Sequence, residues 1–220
     1  MSTATRVSLN FLGGLLAVLL FRACSPAEAL TVRVAGDSQS VNRSSQGFWA
    51  WPEAIPAQVD NRSVLGVTSL WWMGQWMGRM VAPGDVDWRM LMIGTNDAVQ
   101  GVDAMAYGDN VGLIVSFNAG ELLLIAPPPH CDPALEERLA TYRMELIWIC
   151  ANSAATCLDA GLGVEHLGPD CAHLSPWGHV VVAQAVATAV PEPGETQSLL
   201  VGIAILAALR RRATLRATEG

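Results

Sequence analysis

Apolar positions along this chain recur with two periods, and the two alternate. Residues 30–36 form a short alternating, partly β-branched run, which predicts a strand that breaks at Gly36 into a turn presenting Ser38. Residues 42–58 are poorly patterned and interrupted by Gly47, Pro52 and Pro56, so a loop with a short helix is expected. A brief second strand is predicted over 62–65, ending at Gly66, and the long apolar stretch 69–80 suits a helix. Residues 86–93 read as a third strand ending at Gly94, and 103–119 as a helix containing two glycines, Gly108 and Gly112. The unbroken apolar run 121–126 is what a buried parallel strand looks like, and Pro127-Pro128-Pro129 stops it. The best helix is 133–150, with Pro133 at its start, Glu136 and Glu137 early, and apolar spacing through Leu139, Tyr142, Leu146 and Ile149. A last short strand is expected at 156–158, then a Gly-rich loop, then a helix over 176–189.

Strands alternating with helices predict an α/β fold: a mostly parallel sheet with helices on both faces. Four polar segments then fall just beyond strand ends, on one rim of the sheet. They are Gly36-Asp37-Ser38, Gly66, Gly94-Thr95-Asn96-Asp97 and Asp170-Cys171-Ala172-His173. An open sheet of this kind places its chemistry at that rim.

Composition narrows the reading. A chain of 220 residues allows one ordinary domain plus tails, and a net charge of −7 argues against nucleic acid, which needs clustered Lys and Arg. Half of the chain is hydrophobic, yet part of that excess lies at its two ends. Tryptophan is concentrated in the first half, at Trp49, Trp51, Trp71, Trp72, Trp76 and Trp88. These suit either ordinary packing, the favoured reading, or an aromatic mouth for a sugar or acyl chain.

Both ends read as addresses. Residues 1–29 have the pattern of a secretory signal: Arg6, an apolar stretch over 9–21, and a small-x-small cleavage site at Ala27-Glu28-Ala29. Cys24 follows Phe21-Arg22-Ala23, a poor lipobox, so cleavage is placed after Ala29. At the other end Val190-Pro191-Glu192-Pro193 precedes an apolar stretch over 198–209 and then Arg210-Arg211-Arg212. This order resembles the PEP-CTERM sorting signal of Gram-negative bacteria, which implies recognition by an exosortase-type membrane transpeptidase. The arginines would stay cytoplasmic and leave the body across the membrane; a plain C-terminal anchor is the alternative. The expected divisions are 1–29 signal, 30–190 domain and 191–220 sorting tail, with the domain exported to the periplasm, the cell surface or beyond.

The cysteines agree with export. Without Cys24 the chain keeps Cys131, Cys150, Cys157 and Cys171, an even number suited to an oxidising compartment. Three pairings are open. A bond at Cys171 would tether the Asp-x-x-His segment, and the absence of a close Cys-x-x-Cys pair argues against metal binding by these four.

Acyl transfer needs a nucleophile, a base, a group to orient the base, and donors for the oxyanion. Ser38 is the candidate nucleophile, His173 the base and Asp170 its orienting carboxylate. The backbone N–H groups of Ser38 and Gly66 and the side-chain amide of Asn96 are the candidate oxyanion donors. His166 lacks the Asp-x-x-His spacing; His179 is expected to pack or bond locally, and His130 to lie near the rim. Asp97 is expected to hold its loop and Asp37 to form the turn.

Taken together, the four segments resemble those of the SGNH (GDSL-like) hydrolases, in the family's order and roughly its spacing, over about residues 30–190. The resemblance implies a flavodoxin-like three-layer α/β/α sandwich and hydrolysis of esters without metal or cofactor, on lipids, aryl esters, thioesters or acetylated sugars. Gln39 departs from the pattern, since the family usually carries an apolar residue after the serine. The expected function is an exported serine esterase acting through an acyl-serine intermediate. Acyl transfer to another alcohol would use the same residues. The reading from another class is a non-catalytic module that binds glycan through a Trp-rich face.

Overall fold

The computed structural model describes residues 29–41, 50–81 and 86–190. Its centre is a sheet of five parallel strands: β1 (Thr31–Gly36), β2 (Gln58–Asn61), β3 (Trp88–Met92), β4 (Glu121–Ile125) and β5 (Thr156–Leu158). Their spatial order is β2-β1-β3-β4-β5. Parallel neighbours need crossover connections, and the amphipathic segments between strands provide them. They are helices α1 (Trp51–Ala54), α2 (Ser69–Trp76), α3 (Thr95–Gln100), α4 (Ala104–Phe117) and α5 (Pro133–Ala151); a further helix, α6 (Pro176–Ala189), follows β5.

Strand alternation sorts the core into two layers. Val32 and Val34 of β1, Met90 and Met92 of β3, and Leu123 and Ile125 of β4 pack on one face with Trp51, Val182, Ala183 and Val186 of α1 and α6. Ala35, Leu91, Leu122 and Leu124 point the other way, into α2, α4 and α5, where Trp72, Trp76, Tyr107, Val111, Leu139, Tyr142 and Leu146 are buried. Tyr107 and Tyr142 stack with centroids 4.2 Å apart and join α4 to α5. Helix starts carry their own signals: Asp103, Asp132 and Ser175 each cap an N-terminus through the side chain, the last two directly before a proline. The result is the expected three-layer α/β/α architecture, and the chain from Leu30 to Val190 is one compact unit.

Three expectations about the elements need correction. The second strand is Gln58–Asn61 and not 62–65. It is an edge strand paired only to β1, held partly by Asp60, which accepts from the buried Arg33 at 2.8 Å. An edge strand of polar residues shows no apolar run to read. The segment after β3, expected to be loop, opens directly into helix α3, whose first turn contains Thr95, Asn96 and Asp97. The helix expected over 69–80 is α-helical to Trp76 and then widens into a π-helical turn, Met77–Val81. Buried Arg33 and Arg89 from adjacent strands donate to the Met80 carbonyl in that turn, at 2.9 and 2.8 Å.

The signal segment, Trp49 and the C-terminal sorting tail lie outside the described residues. Among the described residues no helix is long and apolar enough to cross a membrane.

Candidate active site

In a sheet of this order the strand sequence reverses between β1 and β3, and a crevice opens at the carboxyl ends of those two strands. Ser38 follows β1 there and Gly94-Thr95-Asn96 follows β3. The Ser38 turn is closed by the Ser40 N–H donating to the Asp37 carbonyl at 3.1 Å and the Gln39 N–H donating to Asp37 Oδ1 at 2.9 Å. Trp72 reaches through the core so that its indole N–H donates to the Gly36 carbonyl at 3.0 Å. Trp51 does the same from the other layer, donating to Ser40 Oγ at 3.1 Å. One tryptophan from each helical layer therefore pins the turn.

Asp170 and His173 come from the far edge of the sheet. The segment between β5 and α6 leaves β5, passes through a 3-10 turn at Val164–His166 and doubles back, with Leu167 and Leu174 paired as an antiparallel bridge. This brings His173 over the rim to Ser38, 135 positions earlier, and the ring Nε2 lies 2.8 Å from Ser38 Oγ. The other ring nitrogen, Nδ1, is 2.7 Å from Asp170 Oδ2. Asp170 Oδ1 accepts from the backbone N–H of His173 at 3.0 Å and of Ala172 at 3.2 Å. Burial pushes the Asp170 carboxyl up, but the bonds from the His173 backbone, the His173 ring and the Ala172 N–H outweigh it and bring it down to about 2. An ionised carboxylate can only accept, so Nδ1 donates to Asp170; in the neutral imidazole Nε2 is then the acceptor for the Ser38 hydroxyl.

The donors expected around Ser38 are joined by one side chain. Asn96 Nδ2 donates to the Val67 carbonyl at 3.0 Å and to Asp37 Oδ2 at 3.3 Å. Asn96 thus links the residue before Ser38 to the residue after Gly66. Gly66 has φ +73°, and open space surrounds the position of a Cβ there. None of the hydrogen bonds among the described residues uses the backbone N–H of Ser38 or Gly66. Gly94 takes φ +138° with Pro127 packed against it, a backbone that only glycine adopts readily.

Asp37 is fully buried; burial, with the nearby Asp97 charge adding, pushes its carboxyl up to about 7 against the bond from Gln39. Asp97 is also raised by burial, while accepting from the Ser69 hydroxyl at 2.6 Å and the Ser69 N–H at 3.0 Å. It fastens the first residue of α2 to helix α3, where the sequence had suggested that it holds its own loop.

The remaining histidines are elsewhere engaged. His166 Nδ1 accepts from the Gly163 N–H at 2.9 Å and His130 Nδ1 from the Asp132 N–H at 2.9 Å. His179, expected to pack or bond locally, is buried as a packing residue, and its ring bond is a distant one: Nδ1 accepts from the Trp51 N–H, 128 positions away, at 3.3 Å. The favoured packing reading holds for three of the first-half tryptophans: Trp51, Trp72 and Trp76 are fully buried core residues, and Trp71 is half-buried beneath the Arg79 guanidinium. The size and apolar bodies of these buried indoles are spent on packing.

The cysteines pair as Cys131–Cys171 and Cys150–Cys157. The first ties the segment carrying His173 to the loop after β4; the second staples the end of α5 to β5. Two further features escaped the sequence reading: the use of Trp72 to anchor the Ser38 turn, and the engagement of Gln39, whose one visible signal was a polar residue at a position usually apolar.

No family model matches the sequence, and no curated protein matches it. Solved structures do share the fold. A carbohydrate acetylesterase from Sinorhizobium meliloti is 16% identical with a TM-score of 0.61, covering 72% of this chain and 97% of its own. A lipase/acylhydrolase from Enterococcus faecalis is 15% identical with a TM-score of 0.60, covering 72% and 94%. A catalytic mutant of an acetylxylan esterase from Geobacillus stearothermophilus is 16% identical with a TM-score of 0.57, covering 73% and 94%. The chain therefore has the α/β/α architecture found in these proteins.

Proposed function

We propose that this protein is a serine esterase. The observation that carries the reading is the continuous hydrogen-bonded line from Ser38 Oγ through the His173 ring to the ionised Asp170 carboxylate. In this reading Ser38 Oγ attacks the ester carbonyl carbon while its proton passes to His173 Nε2, and Asp170 steadies the imidazolium. The oxyanion is met by the backbone N–H groups of Ser38 and Gly66 and by Asn96 Nδ2, which exchanges its longer bond to Asp37 for the new one. Collapse expels the alcohol with the His173 proton. Water then attacks the acyl-serine, giving its proton to His173, and the acid departs as Ser38 recovers its hydrogen.

The substrate class follows from the company the fold keeps: acetylated carbohydrate first, with lipid and aryl esters allowed by the same residues. Two disulfides fit an oxidising compartment. Together with the two end segments they support an exported enzyme whose tail meets a membrane and an exosortase-type sorting enzyme. The test is a fluorophosphonate probe and p-nitrophenyl acetate on the oxidised protein. We expect labelling at Ser38 and turnover that falls at least about 10³-fold in Ser38→Ala. Equal turnover in that variant disposes of the reading.

A further inference from the structure

Gln39 is a polar side chain only 1% exposed, next to Ser38, and the chemistry above makes no use of it. Both ends of its amide are engaged. Nε2 donates to the Ala172 carbonyl at 2.6 Å, and Oε1 accepts from the Leu174 N–H at 3.0 Å. Those two groups flank His173: one belongs to the peptide bond before it and one to the peptide bond after it. A parallel strand grips the residue between its two hydrogen bonds in this same pattern. Here a single side chain acts as that strand.

Two peptide planes held on either side of one residue leave its backbone little freedom, and the direction of its Cα–Cβ bond is set with them. The grip itself is firm, because the Gln39 N–H is bound to Asp37 Oδ1 at 2.9 Å. Other ties on the segment hold it elsewhere: Cys131–Cys171 on the side of β4, and the His173 carbonyl accepting from the Gly168 N–H at 2.7 Å within the segment itself. Among the described residues, Gln39 is the side chain besides Ser38 that joins the serine turn to the His173 segment.

We propose that Gln39 is a positioning residue for the His173 base, a clamp that sets the ring's approach to the hydroxyl of the preceding residue. The proposal rests on the serine-esterase reading. It explains why an amide stands where an apolar side chain is usual: the site requires one donor and one acceptor spaced as in a peptide. Leucine or methionine offers neither, and an ionised glutamate offers two acceptors and opposes the Ala172 carbonyl.

The test uses the oxidised full chain as wild type, Gln39→Met and Gln39→Glu. The readouts are steady-state kinetics on p-nitrophenyl acetate, the NMR signals of the ¹⁵N-labelled His173 ring, and hydrogen exchange at the Leu174 amide. In the wild type we expect Leu174 N–H to be protected and His173 to show a slowly exchanging Nδ1 proton. Gln39→Met should lower kcat about 10- to 100-fold with KM within about twofold, the signature of a misplaced group, and the ring proton should broaden. Gln39→Glu keeps the acceptor for Leu174 and should show the smaller loss. Rapid exchange at Leu174 in the wild type overturns the clamp whether or not either variant folds. An unchanged kcat and ring spectrum in Gln39→Met does so as well. A wild type that is inert towards esters and the probe sinks the esterase reading instead, while the exchange and ring signals still report on the clamp.

Discussion

The serine turn and the histidine segment meet at three hydrogen bonds, one from Ser38 and two from Gln39, but different forces hold them. The turn is an extension of β1: its residues Asp37, Gln39 and Ser40 are buried, and indoles from both helical layers bond to it. The segment carrying Asp170 and His173 is half-exposed surface chain, and a disulfide and two hydrogen bonds to Gln39 hold it at discrete points. A residue on a central strand inherits its position from the core. A residue on a surface segment must be fastened locally, and each fastening can be cut without unfolding the domain.

This contrast can be tested from both sides. The largest effect on turnover is expected from Asp170→Asn, which cuts the base side while sparing the core. The ring loses the acceptor-only carboxylate that fixes its tautomer, kcat should fall about 10⁴-fold, and urea unfolding should remain cooperative. Removing Cys131–Cys171 by paired alanine substitutions should lower kcat about tenfold and the stability by roughly 2–4 kcal/mol. Wild-type kcat in that variant, with intact mass confirming both substitutions, would show that the bond does not serve the site. On the turn side, Gly36→Ala places a Cβ 2.4 Å from Ser40 Oγ and 2.9 Å from the Met92 carbonyl. The central strands must yield, at roughly 1–3 kcal/mol, so denaturant midpoints should drop while the folded fraction stays active.

The smallest effect on turnover distinguishes the regions by sign. Asp37 is raised to about 7, so the native state holds a proton that the unfolded chain releases near 4, and stability falls as pH climbs between those values. Asp170 is lowered to about 2, so its contribution is present above about 4 and is lost as pH falls towards 2. Urea titrations across both windows should show slopes of opposite sign, with Asp37→Asn flattening the first and Asp170→Asn the second.

Where a segment's own chemistry decided its structure, the sequence was a good guide. Strand β5 at Thr156–Leu158 and helix α6 at Pro176–Ala189 fall where pattern and capping residues put them. The four polar segments do gather along one rim, because parallel strands send all their carboxyl ends the same way. Tertiary partners decided the rest. Strand β2 is polar and owes its existence to β1 and to Arg33. The tryptophans could as well have lined a surface, until two layers of helix closed over them. For His179 nothing local announces that its partner is the Trp51 backbone. Likewise, the pairing of four cysteines is a property of the folded chain and not of their spacing.

Cys171 stands inside the Asp170–His173 motif with φ +56°, a left-handed backbone that side chains other than asparagine, aspartate and glycine seldom take. Its sulfur is bonded to Cys131, so the unfavourable conformation and the covalent tie occur at the same residue. Maturation of the site would then coincide with oxidation. A newly made, still-reduced chain would possess every reacting group and yet work below its full rate until it reached surroundings able to form that bond.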